Sequence, residues 1–129
     1  MTTALLQKIL YAEDEPDIQE IAKIALEDVG GFTVKHCMNG KEVLAMLRDF
    51  EPDLFLLDVM MPEMDGPMVL KELRKIPRFM HTPVIFMTAK IQAAELDEYK
   101  KLGVLDIIKK PFDPMLLANM LRASWNKVK

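Results

Sequence analysis

Five polar residues with complementary chemistry follow short apolar runs of this sequence. They are two acids after the first run, an acid at the end of the third, a hydroxyl after the fourth and an ammonium after the fifth: Glu13, Asp14, Asp58, Thr88 and Lys110. Carboxylates about 4 Å apart repel by roughly 4 kcal/mol at an effective dielectric near 20, and a bound divalent cation relieves this repulsion. Oxygen ligands and retained waters favour Mg²⁺. A cation, an ammonium and a hydroxyl around one carboxylate suit a phosphoryl group on that carboxylate, so Asp58 is the predicted nucleophile.

The elements that must position these residues alternate along the chain. Apolar runs predict five strands, at 8–12, 32–36, 54–58, 83–87 and 105–109. Apolar residues at helical spacing predict a helix after each strand. Residues that suit helix ends support these helices: Gly30-Gly31, Asn39-Gly40, Pro67, Gly103 and Asp113-Pro114.

Strands separated by helices pair in parallel, because each crossover helix returns the chain to the same edge. The prediction is therefore an α/β fold, a doubly wound five-stranded parallel sheet with helices on both faces. Ligands of such sheets bind at the carboxyl ends of the strands. The five polar residues fall at those ends.

Length and composition limit the possible classes of protein. The 129 residues predict one domain over 1–129, and the net charge of −3 argues against nucleic-acid binding by the chain's own electrostatics. The single cysteine, Cys37, fits a reducing, cytoplasmic compartment. No apolar run is long enough to cross a bilayer, and the N-terminus does not resemble a signal peptide. Most of the eleven methionines are expected to fill the core.

Other kinds of site fit the sequence less well. A phosphatase of the haloacid dehalogenase type needs an acid two residues after its nucleophile, and that position is Met60. A nucleotide-binding loop needs glycines where the chain has "AEDEPD", and a calcium loop needs glycine and spaced ligands there. A zinc site has few partners, namely His36, Cys37 and His81. A binding module that keeps the fold and signals without phosphate remains open.

Four short motifs resemble, in order and spacing, the response-regulator receiver domain, the phosphoacceptor half of two-component signalling. They are Glu13-Asp14, "DVMMPEMDG" around Asp58, "MTA" around Thr88 and "KKPF" at 109–112. The resemblance covers essentially the whole chain and is of the chemotaxis-regulator type. It implies a flavodoxin-like sheet of strand order 2-1-3-4-5.

The resemblance also implies residue roles at a magnesium site. Asp14 and Asp58 would bind Mg²⁺ directly, Glu13 would act through water, and the backbone carbonyl of Met60 would complete the protein ligands. Glu13 departs from the family, in which Asp is common at this position.

Further roles implied by the resemblance concern the phosphoryl group. Lys110 would contact it, with a cis peptide bond to Pro111, and Lys109 would face solvent. Thr88 would be the switch hydroxyl. Ile107 departs from the Tyr, Phe or His usual at its position, so the output is predicted not to use a rotating aromatic there.

The implied function is a signalling switch and not an enzyme. A sensor histidine kinase or a histidine phosphotransfer protein would phosphorylate Asp58. A downstream protein would then bind the face formed by helix 4, strand 5 and helix 5, with no direct contact to nucleic acid or membrane. The chain ends about where the last helix should end, so no output domain is expected. Whether it stands alone or is part of a longer protein remains open.

Overall fold

The computed structural model describes residues 5–89 and 92–127. In chain order the elements are β1 (Lys8–Ala12), α1 (Pro16–Ile24), β2 (Thr33–Cys37), α2 (Gly40–Met46), β3 (Leu54–Asp58), α3 (Gly66–Leu73), β4 (Val84–Thr88), α4 (Ala93–Lys101), β5 (Asp106–Lys109) and α5 (Leu117–Lys127). A π-helical turn, Ala25–Val29, extends α1, and a 3-10 turn, Pro77–Phe79, precedes β4. The predicted domain limits, 1 and 129, lie outside the described residues.

The five strands form one parallel sheet in the order β2-β1-β3-β4-β5, which confirms the predicted topology. All five residues of β3 and all five of β4 are buried, because helices cover both faces of the sheet. The strand order places β1 beside β3 at the centre. The residues that follow β1 and end β3 therefore meet at one point of the carboxyl edge.

Each face of the sheet has its own apolar core. On one face, Ile9 and Tyr11 of β1 join side chains of α1 and α5. On the other face, Leu10 and Ala12 join side chains of α2 and α3. This alternation is the period of two expected of a strand. It also places residue 13 on the same side of the sheet as Tyr11.

Helix α4 packs shallowly against the rest of the domain. None of its residues from Ala93 to Lys101 is buried, and Leu102, at its end, is 47% exposed. Tyr99 is half-buried and packs edge-on against Phe86 of β4, with the ring centroids 5.6 Å apart. The helix was correctly predicted, but its apolar stripe is narrow.

Other differences from the sequence predictions are local. Strands β2 and β4 begin and end one residue later than predicted, and β5 begins one residue later. Helix α5 begins at Leu117 and not at Pro114, because a turn intervenes in which Asp113 Oδ1 accepts from the Met115 amide. The predicted glycine stops are confirmed, since Gly31 and Gly103 take φ values of 75° and 87°.

The prediction that most methionines fill the core is wrong for the described residues. Two methionines lie in the core, while six are well exposed: Met38, Met60, Met68, Met80, Met115 and Met120. Within 5–89 and 92–127, no helix has the length and apolar character that a membrane span requires.

Candidate functional site

The carboxylate of Glu13 is fully buried at the carboxyl end of β1, with a relative exposure of 0%. Its Oε1 accepts from the Lys110 ammonium at 3.1 Å and from the Tyr11 hydroxyl at 3.5 Å, while Oε2 accepts from the Glu15 amide at 3.3 Å. Burial is the main reason that the pKa of Glu13 rises to about 7, and the adjacent Asp58 raises it further against the opposing effect of Lys110. Both oxygens are thus held from inside the protein.

Asp58 is the last residue of β3 and is 3% exposed. Its Oδ2 accepts from the Lys110 ammonium at 3.0 Å, and its Oδ1 accepts from the Met60 amide at 3.3 Å. The chain turns tightly here, since the Gly66 amide donates to the Val59 carbonyl, and a Cβ at Gly66 would lie 2.9 Å from the Asp58 carbonyl oxygen. Glycine at 66 therefore lets the loop fold back against the end of the strand.

Lys110 joins the two buried acids. Its ammonium lies about equally far from Glu13 and Asp58, and the peptide bond between Lys110 and Pro111 is cis, as predicted. Burial acts to lower the pKa of Lys110, but the hydrogen bonds to Asp58 and Glu13 outweigh it and raise the pKa. The lysine is therefore cationic in this site, while Lys109 is exposed as predicted.

Three acids form a compact cluster at this edge. Oxygens of Glu13, Asp14 and Asp58 all lie within 4.8 Å of one another. With all three ionised, one ammonium leaves excess negative charge around a small volume of oxygen donors. This donor set fits a hard divalent cation such as Mg²⁺. Among the described residues it is the one such cluster of acids, histidines and cysteines, and the residues of the zinc alternative, His36, Cys37 and His81, are not part of it.

An open crevice of about 480 Å³ lies beside the cluster. Asp58, Met60, Thr88 and Lys110 line it, and Ile18 of α1 contributes an apolar wall. Thr88 ends β4 and is 1% exposed, and its carbonyl accepts from the Lys110 amide at 2.9 Å. Asp58 can therefore be reached from solvent through the crevice, although the residue is almost fully buried. Met60 lines the same crevice and is 60% exposed.

Two contacts of Glu13 were not predicted from the sequence. The Tyr11 hydroxyl contacts Glu13, and His36 Nε2 lies 3.0 Å from the Glu13 carbonyl oxygen. The signal for Tyr11 was its position two residues before Glu13, because side chains two apart on a strand share a face. His36 lies opposite Tyr11 on β2, a pairing that requires the register of the two strands.

The fold has counterparts among known structures. The chemotaxis response regulator CheY4 of Vibrio cholerae superposes with a TM-score of 0.84 at 28% identity, over 92% of this chain and 98% of that one. Residues 9–122 match the family described as the response regulator receiver domain. The chain belongs to that family.

Curated relatives agree with this assignment. Response regulator Rre1 of Synechocystis is 35% identical over 114 residues, which are 88% of this chain and 49% of that protein. An uncharacterized 14.6 kDa protein of Leptolyngbya boryana is 33% identical over 122 residues, 95% of this chain and 92% of that one. The chain spans about half or less of the three curated relatives that it matches first. It is therefore a receiver domain of two-component signalling.

Proposed function

We propose that this receiver domain is a phosphorylation-controlled switch in which Asp58 accepts a phosphoryl group from a phosphohistidine. The donor would be a sensor histidine kinase or a histidine phosphotransfer protein in the cytoplasm. The observation that carries this proposal is the Asp58 carboxylate itself, which is almost fully buried yet lines an open crevice against an ammonium.

The reaction needs little from the protein beyond position and charge. An Asp58 oxygen forms a bond to phosphorus, and the bond from phosphorus to the donor's imidazole nitrogen breaks. The donor imidazole carries a proton on its other nitrogen, so it leaves as neutral histidine. Lys110, now 3.0 Å from Asp58 Oδ2, would compensate the negative charge brought by the phosphoryl group. The products are an aspartyl phosphate here and a free histidine on the partner.

Asp14, Asp58 and the Met60 backbone carbonyl would hold Mg²⁺ directly, and Glu13 would act on it through water. When bound, the ion would neutralise the excess charge of the acids and stabilise negative charge on the transferred group. Support comes from the spacing of the three carboxylates, whose oxygens lie within 4.8 Å. Asp14 is the least buried of the three acids, so it is the one most open to a cation arriving from solvent.

The signal would leave through the face formed by α4, β5 and α5. Thr88 ends β4 beside the crevice and would contact the phosphoryl group. Ile107, opposite Phe86 on the neighbouring strand, is half-buried against the core and is stiff at χ1. We therefore propose that the output does not use a rotating side chain at position 107. Residues 90 and 91, within the loop after Thr88, lie outside the described residues.

A second function is a binding module that signals without phosphate, which Ile107 at the usual switch position favours. Incubation with acetyl phosphate and Mg²⁺, followed by mass spectrometry, separates the two. The wild type should gain about 80 Da, the mass of one phosphoryl group, and Asp58→Asn should not. Asp49→Asn, which changes an exposed acid outside the cluster, is the matched control and should gain the same mass as wild type. Equal gain in Asp58→Asn would refute the assignment of the nucleophile, and no gain in wild type would favour the second function.

A further inference from the structure

Tyr11 is a fully buried hydroxyl-bearing residue in the centre of the sheet, and the phosphoryl-transfer chemistry does not use it. It lies in β1 with a relative exposure of 0%, and its neighbours in the adjacent strands are His36 of β2 and Leu56 of β3. Burying a hydroxyl costs free energy unless it finds a hydrogen-bond partner. The partner is Glu13 Oε1, at 3.5 Å.

The phenol ring of Tyr11 is held in one place by its surroundings. It packs in the core between the sheet and helices α1 and α5, and it lies 5.7 Å from the ring of His36 at an interplanar angle of 54°. His36 in turn contacts the Glu13 carbonyl oxygen at 3.0 Å. The hydroxyl is therefore a fixed polar group beneath the acidic cluster and not a mobile side chain that happens to approach it.

Glu13 needs such a fixed group more than a shorter acid would. A glutamate has one more rotatable bond than an aspartate, so holding its carboxylate in one orientation costs more conformational entropy. In this site the Lys110 ammonium and the Tyr11 hydroxyl both donate to Oε1 of Glu13.

We propose that Tyr11 is a positioning residue whose hydroxyl holds the Glu13 carboxylate at the acidic cluster, in the orientation that a divalent cation requires. This inference rests on the proposed magnesium-dependent function. The hydroxyl touches neither the phosphoryl group nor the cation. It acts through Glu13 by limiting the positions that the longer acidic side chain can take.

The test is Tyr11→Phe, which removes the hydroxyl and keeps the ring. Titration calorimetry with Mg²⁺ alone should give a dissociation constant raised about three- to tenfold, the range expected for one modest hydrogen bond. The chain's second tyrosine provides the matched control, because Tyr99→Phe removes a hydroxyl on α4 and should leave the constant unchanged. In a Glu13→Gln background, Tyr11→Phe should have no further effect.

A purely structural role of the hydroxyl predicts something different. It would lower the melting temperature and leave Mg²⁺ affinity unchanged, and that result would overturn the proposal. The same holds if Tyr11→Phe weakens Mg²⁺ binding equally in the Glu13→Gln background. The rate of phosphorylation by acetyl phosphate gives an independent readout, since saturating Mg²⁺ should restore the rate of Tyr11→Phe to that of wild type. A rate that stays low at saturation would contradict the assignment.

A second measurement tests the proposal without requiring that the Tyr11→Phe variant folds. In the Tyr99→Phe variant Tyr11 is the single remaining tyrosine, so a ¹³Cζ-tyrosine label gives one NMR resonance. The chemical shift of that resonance should change during a Mg²⁺ titration, and the change should give the same dissociation constant as calorimetry. When Glu13 is also changed to Gln, the chemical shift should stay constant. A chemical shift that does not change when Mg²⁺ binds would overturn the proposal. Wild type that binds Mg²⁺ but takes up no phosphate would refute the proposed function alone, whereas failure to bind Mg²⁺ would refute both.

Discussion

Replacement of Lys110 by methionine tests whether the lysine compensates the two buried acids. Its ammonium lies 3.1 Å from Glu13 Oε1 and 3.0 Å from Asp58 Oδ2, and the three side chains are 11%, 0% and 4% exposed. Lys110→Met keeps most of the apolar stem and removes the charge. Both carboxylates would then be buried without a cation.

The expected loss of stability follows from these distances. At an effective dielectric near 20, each ion pair at 3 Å has a gross attraction of roughly 5 kcal/mol. Removing the ammonium also recovers its own desolvation cost, so the net loss is smaller. Breaking a buried pair by removing one partner costs about 3–5 kcal/mol, and we expect about 3 kcal/mol at pH 8 because the cluster borders an open crevice.

The loss of stability caused by Lys110→Met should depend on pH, because Glu13 titrates in this range. The pKa of Glu13 in the fold, about 7, lies above its ordinary value of 4.5, so the fold binds a proton more readily than the unfolded chain does. Stability of the wild type without metal therefore decreases as pH rises from 4.5 through about 7. Lys110 lowers this pKa, so Lys110→Met should raise it further. At pH 5 Glu13 is then neutral in both proteins, and the loss should shrink to about 1–2 kcal/mol.

Urea unfolding of wild type and variant in EDTA, at pH 5 and pH 8, measures both quantities. Lys109→Met is the matched control, because its side chain is exposed one residue away, and it should change stability by less than about 0.5 kcal/mol. If Lys110→Met costs no more than Lys109→Met at pH 8, the lysine does not compensate the acids. A loss that is larger at pH 5 than at pH 8 would show that Glu13 is not the group that titrates.

Two further predictions concern the cation and the relay. Mg²⁺ at about 100 times its dissociation constant should stabilise the wild type by roughly 2–3 kcal/mol in thermal melts, and Asp14→Ala should remove most of this gain; equal gains would place the ion elsewhere. Beryllofluoride, a phosphoryl mimic, should shift backbone amide resonances through 105–120 in wild type and Ile107→Ala but not in Thr88→Ala. Loss of those shifts in a folded Ile107→Ala would show that Ile107 does act in the switch.

The sequence was sufficient to predict the sheet because its signals are local and repeated. Strands β3 and β4 are continuous apolar runs, and each is followed by a helix with apolar residues at helical spacing. Parallel pairing then brought Asp58 and the acids after β1 to one edge without any knowledge of side-chain orientation. The resemblance supplied the strand order, which local patterns do not contain.

Contacts between particular side chains could not be predicted in the same way. Lys110 contacts Glu13 and Asp58, which lie 97 and 52 residues away from it in the chain. These contacts depend on the rotamers of all three side chains. The contact of Tyr11 with Glu13 requires knowing that the phenol points into a closed core, which an apolar run does not specify. The shallow packing of α4 could not be predicted either, because Leu96 and Leu102 fit a helical stripe whether or not the neighbouring elements cover them.

The shallow packing of α4 has a consequence for how the domain could respond to a modification at Asp58. A helix with no buried residue in Ala93–Lys101 has little apolar surface to lose when it moves, so displacing it costs only a small part of the domain's global stability. Its amide protons should exchange with solvent faster than those of β3, whose five residues are all buried. A ligand moves an equilibrium only by its difference in affinity for the two states. A difference of a few kilocalories per mole at the carboxyl edge of the sheet could therefore displace α4, where Tyr99 packs on Phe86, and change the surface of the domain. The central strands would keep their positions.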